Sequence, residues 1–135
     1  MEGHVPRIVH VALRVRDLDR VTRFYETVFG FQRVEEGRVR DHYSRHLSDG
    51  TIDLALIQYD ADADSAEARA SGPDPGIHHF GVEVEDLDAT RAQLVAAGCR
   101  VISDPGAVPI KFRDPGGVLA EIVPRGRYQQ PAESP

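Results

Sequence analysis

The side chains best suited to chemistry are two histidines at matching positions in the two halves of the chain. Each half also carries an acidic residue about 40 positions after its histidine. His10 lies 69 residues before His79, and Asp53 lies 68 residues before Glu121. Imidazole and carboxylate together suit divalent iron, nickel, zinc, manganese or cobalt, and three such ligands leave coordination positions open for substrate or water. The sequence therefore predicts one divalent metal ion held by His10, His79 and Glu121. Asp53 has a shorter side chain than glutamate, so it is either a fourth ligand or a residue that hydrogen-bonds to a ligand.

The two histidines belong to a repeated sequence pattern. The segment from Ile8 to Asp19 reads Ile-Val-His-Val-Ala-Leu-Arg-Val-Arg-Asp-Leu-Asp, and the segment from Ile77 to Asp88 reads Ile-His-His-Phe-Gly-Val-Glu-Val-Glu-Asp-Leu-Asp. Each begins as an alternating apolar strand and ends with aspartates that predict a helix N-cap. Turn sequences, such as the one that starts at Ser48, then separate three short strands in each half. The pattern indicates a βαβββ module that is used twice.

We therefore predict a single domain, 1–135, with repeat one at 7–58, a linker at 59–76, repeat two at 77–124 and a polar tail at 125–135. The linker is rich in Asp, Ala, Gly and Pro, with a short helix expected around Ala66–Ala70, and the tail is expected to be loosely held. The strands predicted after the two main helices are Phe31–Glu36, Arg40–Leu47, Thr51–Gln58, Arg100–Ser103, Val108–Arg113 and Val118–Val123.

Alternation along the strands predicts which side chains share a surface. His10 and His79 both alternate with the apolar residues of their strands, so both imidazoles should face away from the helices. The same parity turns Glu121 to this face, whereas it points His78 toward the core, where a structural role is expected. Two modules related by a pseudo-twofold axis would bring these faces together around one cavity.

Composition narrows the classes of partner. The chain has 135 residues and a formal net charge of −6, which disfavours binding to nucleic acid because a phosphate backbone requires a positive patch. The single cysteine, Cys99, excludes an intrachain disulfide framework. Neither a secretory signal nor an apolar stretch long enough for a membrane span is recognisable. We expect a cytoplasmic protein with a small-molecule substrate and no nucleic-acid or membrane partner.

These segments resemble the glyoxalase, bleomycin-resistance and extradiol-dioxygenase superfamily, the vicinal-oxygen-chelate proteins, over nearly the whole chain. The resemblance rests on four segments, His10-Val-Ala-Leu-Arg-Val-Arg-Asp-Leu-Asp, Arg23-Phe-Tyr-Glu-Thr-Val-Phe-Gly-Phe, His79-Phe-Gly-Val-Glu-Val-Glu-Asp-Leu-Asp and Asp114-Pro-Gly-Gly-Val-Leu-Ala-Glu121. It implies metal ligands at His10, His79 and Glu121, a variable first-half ligand at Asp53, and a homodimer. The expected fold is α+β, with two tandem βαβββ modules forming a curved, partly open mixed sheet around a central cavity and the helices outside.

The resemblance also implies a reaction in which the metal ion binds two adjacent oxygens of a substrate. We predict a metal-dependent lyase or isomerase of the glyoxalase or epimerase type, acting on a small oxygen-chelating carbonyl compound. Proton transfer needs a base within hydrogen-bond reach, and Asp53, Glu121 and Lys111 are the candidates. Lys111 could alternatively bind an anionic substrate, or act as a base with a lowered pKa. Parity leaves open whether Arg45 or His46 lines the cavity.

Two other functions compete with this one. An Fe(II) extradiol-type dioxygenase would resemble the same superfamily, but its usual motif has a tyrosine where Lys111 stands, and no histidine lies between His79 and Glu121. A non-catalytic small-molecule binder of the antibiotic-resistance kind is the second alternative. Such members generally lack the metal triad, so the triad here counts against that function.

Overall fold

The computed structural model of the protein describes residues 6–128, which form eight strands and three helices. In chain order these are β1 (Arg7–Arg14), α1 (Leu18–Phe29), β2 (Gln32–Val39), β3 (His42–Ser48), β4 (Asp53–Tyr59), α2 (Ala66–Ser71), β5 (Gly76–Val84), α3 (Leu87–Ala96), β6 (Arg100–Val101), β7 (Ile110–Arg113) and β8 (Leu119–Pro124).

All eight strands join one mixed sheet in the order β2-β3-β4-β1-β5-β8-β7-β6. The order is symmetric about its centre, where the first strands of the two modules, β1 and β5, pair antiparallel. Within each module the first strand also pairs parallel with the last one, β1 with β4 and β5 with β8. This topology confirms the predicted α+β fold of two βαβββ modules, and it joins the two repeats within one chain.

Each module packs its own apolar core between the sheet and its helix. In the first module the buried cluster is formed by Val15, Leu18, Leu47 and Leu56. In the second it is formed by Val84, Ile110, Phe112, Ala120 and Ile122. Because both clusters occupy one face of the sheet, the opposite face is left for the polar side chains that alternate with them.

Strands β6 and β7 of the second module are shorter than the sequence predicts. Strand β6 ends at Val101 and β7 begins only at Ile110, two residues after Val108. The intervening segment turns on itself, with the Ala107 amide bonded to the Asp104 carbonyl. Pro109 lacks an amide hydrogen to donate to a neighbouring strand, which explains why the ladder starts after it.

The aspartate N-caps predicted in the two repeats are both present. Asp17 accepts a hydrogen bond from the Arg20 amide at the start of α1, and Asp86 accepts one from the Ala89 amide at the start of α3. Replacing Asp17 by alanine is expected to lower the free energy of unfolding by about 1 kcal/mol, because a helix-end amide loses its acceptor. Denaturant unfolding measures the change. Asp17→Asn keeps the acceptor and should be close to neutral, so equal losses in both variants would contradict this role.

Candidate metal centre

Three neighbouring strands bring His10, His79 and Glu121 to one point on the polar face of the sheet. His10 lies on β1, His79 on β5 and Glu121 on β8, and their exposed fractions are 2%, 4% and 1%. The Nε2 atoms of the two imidazoles are 3.1 Å apart. A carboxylate oxygen of Glu121 lies 2.9 Å from the Nε2 of His79, and the other lies 3.8 Å from the Nε2 of His10.

This donor set fits a divalent metal ion. One ligand atom from each of the three side chains lies within 4.8 Å of the others, and all three side chains are buried. Two imidazole nitrogens and one carboxylate are a common ligand set for first-row transition metals and zinc. The backbone also leaves space beside them, because a Cβ on Gly81 would lie only 3.0 Å from Glu121 and 3.1 Å from His10.

In both histidines Nε2 is the inner nitrogen, which faces the candidate metal position, and Nδ1 is the outer nitrogen. Asp53 contacts the outer nitrogen of His10. Strand β4 pairs Asp53 directly with His10, and the carboxylate lies 2.6 Å from the Nδ1 of His10. Burial alone would raise the pKa of Asp53, but hydrogen bonds from His10 and His46 outweigh it and lower the pKa. An ionised carboxylate accepts the Nδ1 proton of His10, and the lone pair of the ring is then on Nε2, which faces His79 and Glu121.

The two modules place their acidic residues in different registers. Asp53 pairs with His10 itself, whereas Glu121 pairs with Gly81, two residues after His79. In the first module the residue two positions after His10 is Ala12, and its partner on β4 is Ala55. Ala55 therefore occupies the strand position equivalent to Glu121, which explains why one acid reaches an outer nitrogen and the other an inner one.

Of Arg45 and His46 on β3, it is His46 that lines the cavity. Its Nδ1 lies 2.9 Å from the Asp53 carboxylate, and its ring lines the cavity. Burial would lower the pKa of His46, but the Asp53 carboxylate raises it overall. Arg45 is on the opposite face, where its guanidinium donates to Asp19 and Thr22.

Lys111 lies at the site, 5% exposed, with its ammonium 3.1 Å from Glu121 and 3.1 Å from Glu67 of α2. Burial alone would lower its pKa, but the charges of the two carboxylates outweigh burial and raise it. Of the roles left open for Lys111, this arrangement favours a cation held between carboxylates over a base with a lowered pKa. On Glu121, burial would raise the pKa, but a hydrogen bond from His79 and the charge of Lys111 hold it well below its usual range.

His78 lies on the cavity side of the sheet, which corrects the parity argument. The register between β1 and β5 shifts so that Ala12 pairs with His79 and Leu13 with Ile77, leaving His78 as the extra residue of a bulge. Its ring stacks with Tyr59 and contacts the ring of His79. Burial lowers the pKa of His78 to about 3, with further contributions from the charges of His79 and Lys111.

The start of the tail is also part of the site. The backbone amide of Gly126 donates to Glu83, and Tyr128 then reaches back over the sheet. The ring of Tyr128 stacks on His10 with centroids 4.1 Å apart, and its hydroxyl donates to Glu121. The expectation of a loosely held tail is wrong for residues 125–128, while 129–135 lie outside the described residues. Tyr128 is the one aromatic residue in the sequence of the tail, and this was the feature that could have predicted an ordered contact there.

A cavity of about 290 Å³ lies beside the candidate metal centre. Its wall includes His10, His46, His79, Lys111, Glu121 and Tyr128. The α2 helix of the linker borders the same space through Glu67. No helix within residues 6–128 is long and apolar enough to cross a lipid bilayer.

The family model of the glyoxalase, bleomycin resistance protein and dioxygenase superfamily matches residues 7–122. The chain belongs to this superfamily. A probable chloroplastic lactoylglutathione lyase of Arabidopsis thaliana is 29% identical over 93% of the chain. A probable lactoylglutathione lyase of Vibrio cholerae is 28% identical over 91% of the chain. The chain spans 37% of the length of the plant protein and 92% of the bacterial one.

Solved superfamily structures have the same fold. A Streptomyces coelicolor methylmalonyl-CoA epimerase in complex with 2-nitronate-propionyl-CoA superposes with a TM-score of 0.73 at 27% identity. The match covers 89% of this chain and 97% of the epimerase chain. The chain is thus similar both to proteins named as lyases and to an epimerase.

Proposed function

We propose that this superfamily member is a divalent-metal-dependent lyase or isomerase that acts on a small carbonyl compound with two neighbouring oxygens. The observation that supports it is the convergence of three buried donor side chains, His10, His79 and Glu121, on the floor of a cavity. A bound divalent ion would supply a Lewis acid for negative charge developing on a substrate oxygen. Relatives named as lyases and epimerases favour this reaction class over ring cleavage.

In this proposal Asp53 supports the site and does not bind the ion. Its carboxylate is 2.6 Å from the Nδ1 of His10, so it fixes which nitrogen of that ring is protonated and how the ring is oriented. It does the same for His46, whose Nδ1 is also within hydrogen-bond distance. Of the two roles open to Asp53 from the sequence, we therefore infer the hydrogen-bonding one.

Two side chains are placed to exchange a proton with a substrate in the cavity. His46 donates its Nδ1 proton to Asp53, which leaves the lone pair of a neutral ring on Nε2, in a ring that lines the cavity. Glu121 has two oxygens, one held by His79 and Lys111 and the other by Tyr128, so one can hold a ligand position while the other takes part in proton transfer.

Lys111 supplies the positive charge that a developing oxyanion or an anionic substrate requires. Its ammonium contacts Glu121 directly, and it is nearly inaccessible to bulk water, which strengthens its electrostatic effect. Its partner Glu67 belongs to α2, so the linker helix helps to fix the position of the ammonium.

The substrate class is tested by supplying the metal-free chain with Ni²⁺, Zn²⁺, Co²⁺, Mn²⁺ or Fe²⁺ and measuring two reactions. Formation of lactoylglutathione reports the lyase reaction, and uptake of solvent deuterium at the α-carbon of methylmalonyl-CoA reports epimerisation. We expect one of them to depend on added metal. Oxygen uptake with a catechol and Fe²⁺, and no turnover in either assay, would instead support the dioxygenase alternative.

Replacing Lys111 by methionine is expected to lower kcat/KM by about 100-fold while leaving a full equivalent of metal bound, because a preorganised charge is lost but no donor atom is. Steady-state kinetics beside elemental analysis measures both quantities. Lys111→Arg keeps the charge and should recover part of the rate. A methionine variant with unchanged kcat/KM would show that the ammonium serves only the fold.

The homodimer and the cytoplasmic location expected from the sequence remain proposals. The three metal ligands come from β1, β5 and β8 of one chain, so the site does not need a second chain to be complete. Sedimentation of the purified protein would test the dimer, and a monomeric mass would contradict it.

A further inference from the structure

The two histidines of the candidate metal centre have different supporting groups. The Nδ1 of His10 faces the carboxylate of Asp53 at 2.6 Å. The Nδ1 of His79 faces the Nδ1 of its neighbour His78. A histidine that binds a metal ion through Nε2 carries a proton on Nδ1 and needs an acceptor for it. For His79 that acceptor is an imidazole nitrogen, not a carboxylate.

The difference follows from the register of the two modules. In the first module Asp53 pairs with His10, so the acid is beside the outer nitrogen. In the second module Glu121 pairs two residues beyond His79 and contacts the inner nitrogen instead. Within residues 6–128, therefore, no carboxylate lies beside the outer nitrogen of His79, and the bulge in β5 places His78 there.

The second nitrogen of His78 is fixed in turn. Its Nε2 lies 2.9 Å from the hydroxyl of Tyr59, and the two rings stack with centroids 5.9 Å apart. A neutral imidazole has one donor and one acceptor nitrogen, so a ring that accepts at Nδ1 must donate at Nε2. The Tyr59 oxygen is placed to accept that hydrogen. Tyr59 itself is held by the guanidinium of Arg14, 4.5 Å from its ring centroid.

We propose that His78 is a positioning residue of the metal centre, which accepts the Nδ1 proton of His79 and so fixes the tautomer and orientation of that ligand, with Tyr59 fixing His78. This role rests on the proposed metal site. It gives the bulge in β5 a function, since without the extra residue no side chain of β5 would lie beside the outer nitrogen of His79. The chain of contacts runs from the centre through His79 and His78 to Tyr59, at the end of β4.

The test is the affinity of the metal-free chain for Co²⁺, measured by competition with a chromophoric chelator, together with the visible absorption spectrum of the Co²⁺-loaded protein. His78→Phe keeps a buried ring but removes the acceptor, and we expect it to weaken Co²⁺ binding by about 10- to 100-fold and to change the spectrum. His78→Asn retains an acceptor oxygen and should recover part of the affinity. Tyr59→Phe should weaken binding in the same direction but by less.

His42→Phe is the matched control, because His42 is also buried and its ring also contacts Tyr59, 5.1 Å between centroids. It should bind Co²⁺ as the wild-type chain does, and thermal unfolding of each metal-free variant checks the fold. Wild-type affinity in both His78→Phe and Tyr59→Phe would overturn the role of His78. A wild-type chain that binds no Co²⁺ at all would overturn the metal site itself, and this role with it.

Discussion

Replacing Glu121 by alanine is expected to reduce the bound divalent metal from about one equivalent to none. The variant loses the only carboxylate that faces the inner nitrogens of His10 and His79 within residues 6–128. Two neutral imidazoles hold a divalent ion far more weakly than a site that also supplies a charged oxygen. Elemental analysis of protein purified without chelator measures the loss, and His10→Ala should give the same result.

The matched control is Glu35→Ala, which removes an acidic side chain that borders the same cavity. Among the described residues, the side chains that could hold a metal ion are His10, His46, Asp53, His79 and Glu121. Glu35 is not one of them, so its loss should leave the metal content unchanged. Glu121→Ala also leaves Lys111 buried with Glu67 as its remaining carboxylate partner, and thermal unfolding is needed to show that the fold persists. A full equivalent of metal in folded Glu121→Ala would exclude this residue as a ligand.

Much of the site was predictable because strands alternate with a period of two. The apolar residues that flank His10 and His79 pack against the helices, so each imidazole is predicted to lie on the other face of its strand. In the structure both rings lie on the same face of one sheet. The repeat then implies that two equivalent strands lie side by side. Together, alternation and the repeat predict that Glu121 lies close to the two histidines, as it does in the structure.

Alternation failed where the strand departs from a regular ladder. His78 would face the core in a continuous strand, but one extra residue in β5 places it on the same face of the sheet as His79, where it contacts Tyr59. The two-residue difference in register between the modules had no visible sequence signal either, since Asp53 and Glu121 follow their histidines at nearly the same spacing. Bulges and registers are set by pairing between distant strands, which a single strand pattern does not encode.

Tyr128 shows a different limit. The segment around it has no apolar periodicity, so it resembles an untethered tail. What holds it is a backbone hydrogen bond from Gly126 to Glu83 and the stacking of Tyr128 on His10. Burial raises the pKa of Tyr128, so its hydroxyl remains protonated and donates to Glu121. These contacts exist only once the sheet has formed and offers the ring a surface.

Replacing Gly81 by valine is expected to weaken metal binding by about 10- to 100-fold without removing any donor atom. A Cβ at this position would lie 3.0 Å from a carboxylate oxygen of Glu121 and 3.1 Å from the Cβ of His10. The larger side chain must displace at least one of these two ligands, and overpacking of this kind costs typically about 1–3 kcal/mol. Competition between the protein and a chelator for Co²⁺ measures the change.

Gly81→Val tests the space between the metal ligands, because the variant keeps every ligand side chain. The backbone at Gly81 is not left-handed, so a valine there is not strained by its backbone conformation. Gly81→Ala adds a single methyl group, so only a shift of a few tenths of an ångström is needed, and its affinity should fall between wild type and valine. Gly37→Val on β2 is the control, since a Cβ there meets no atom within 4 Å. Equal Co²⁺ affinity in Gly81→Val and Gly37→Val would show that the side chains of His10 and Glu121 do not meet at a metal ion beside this glycine.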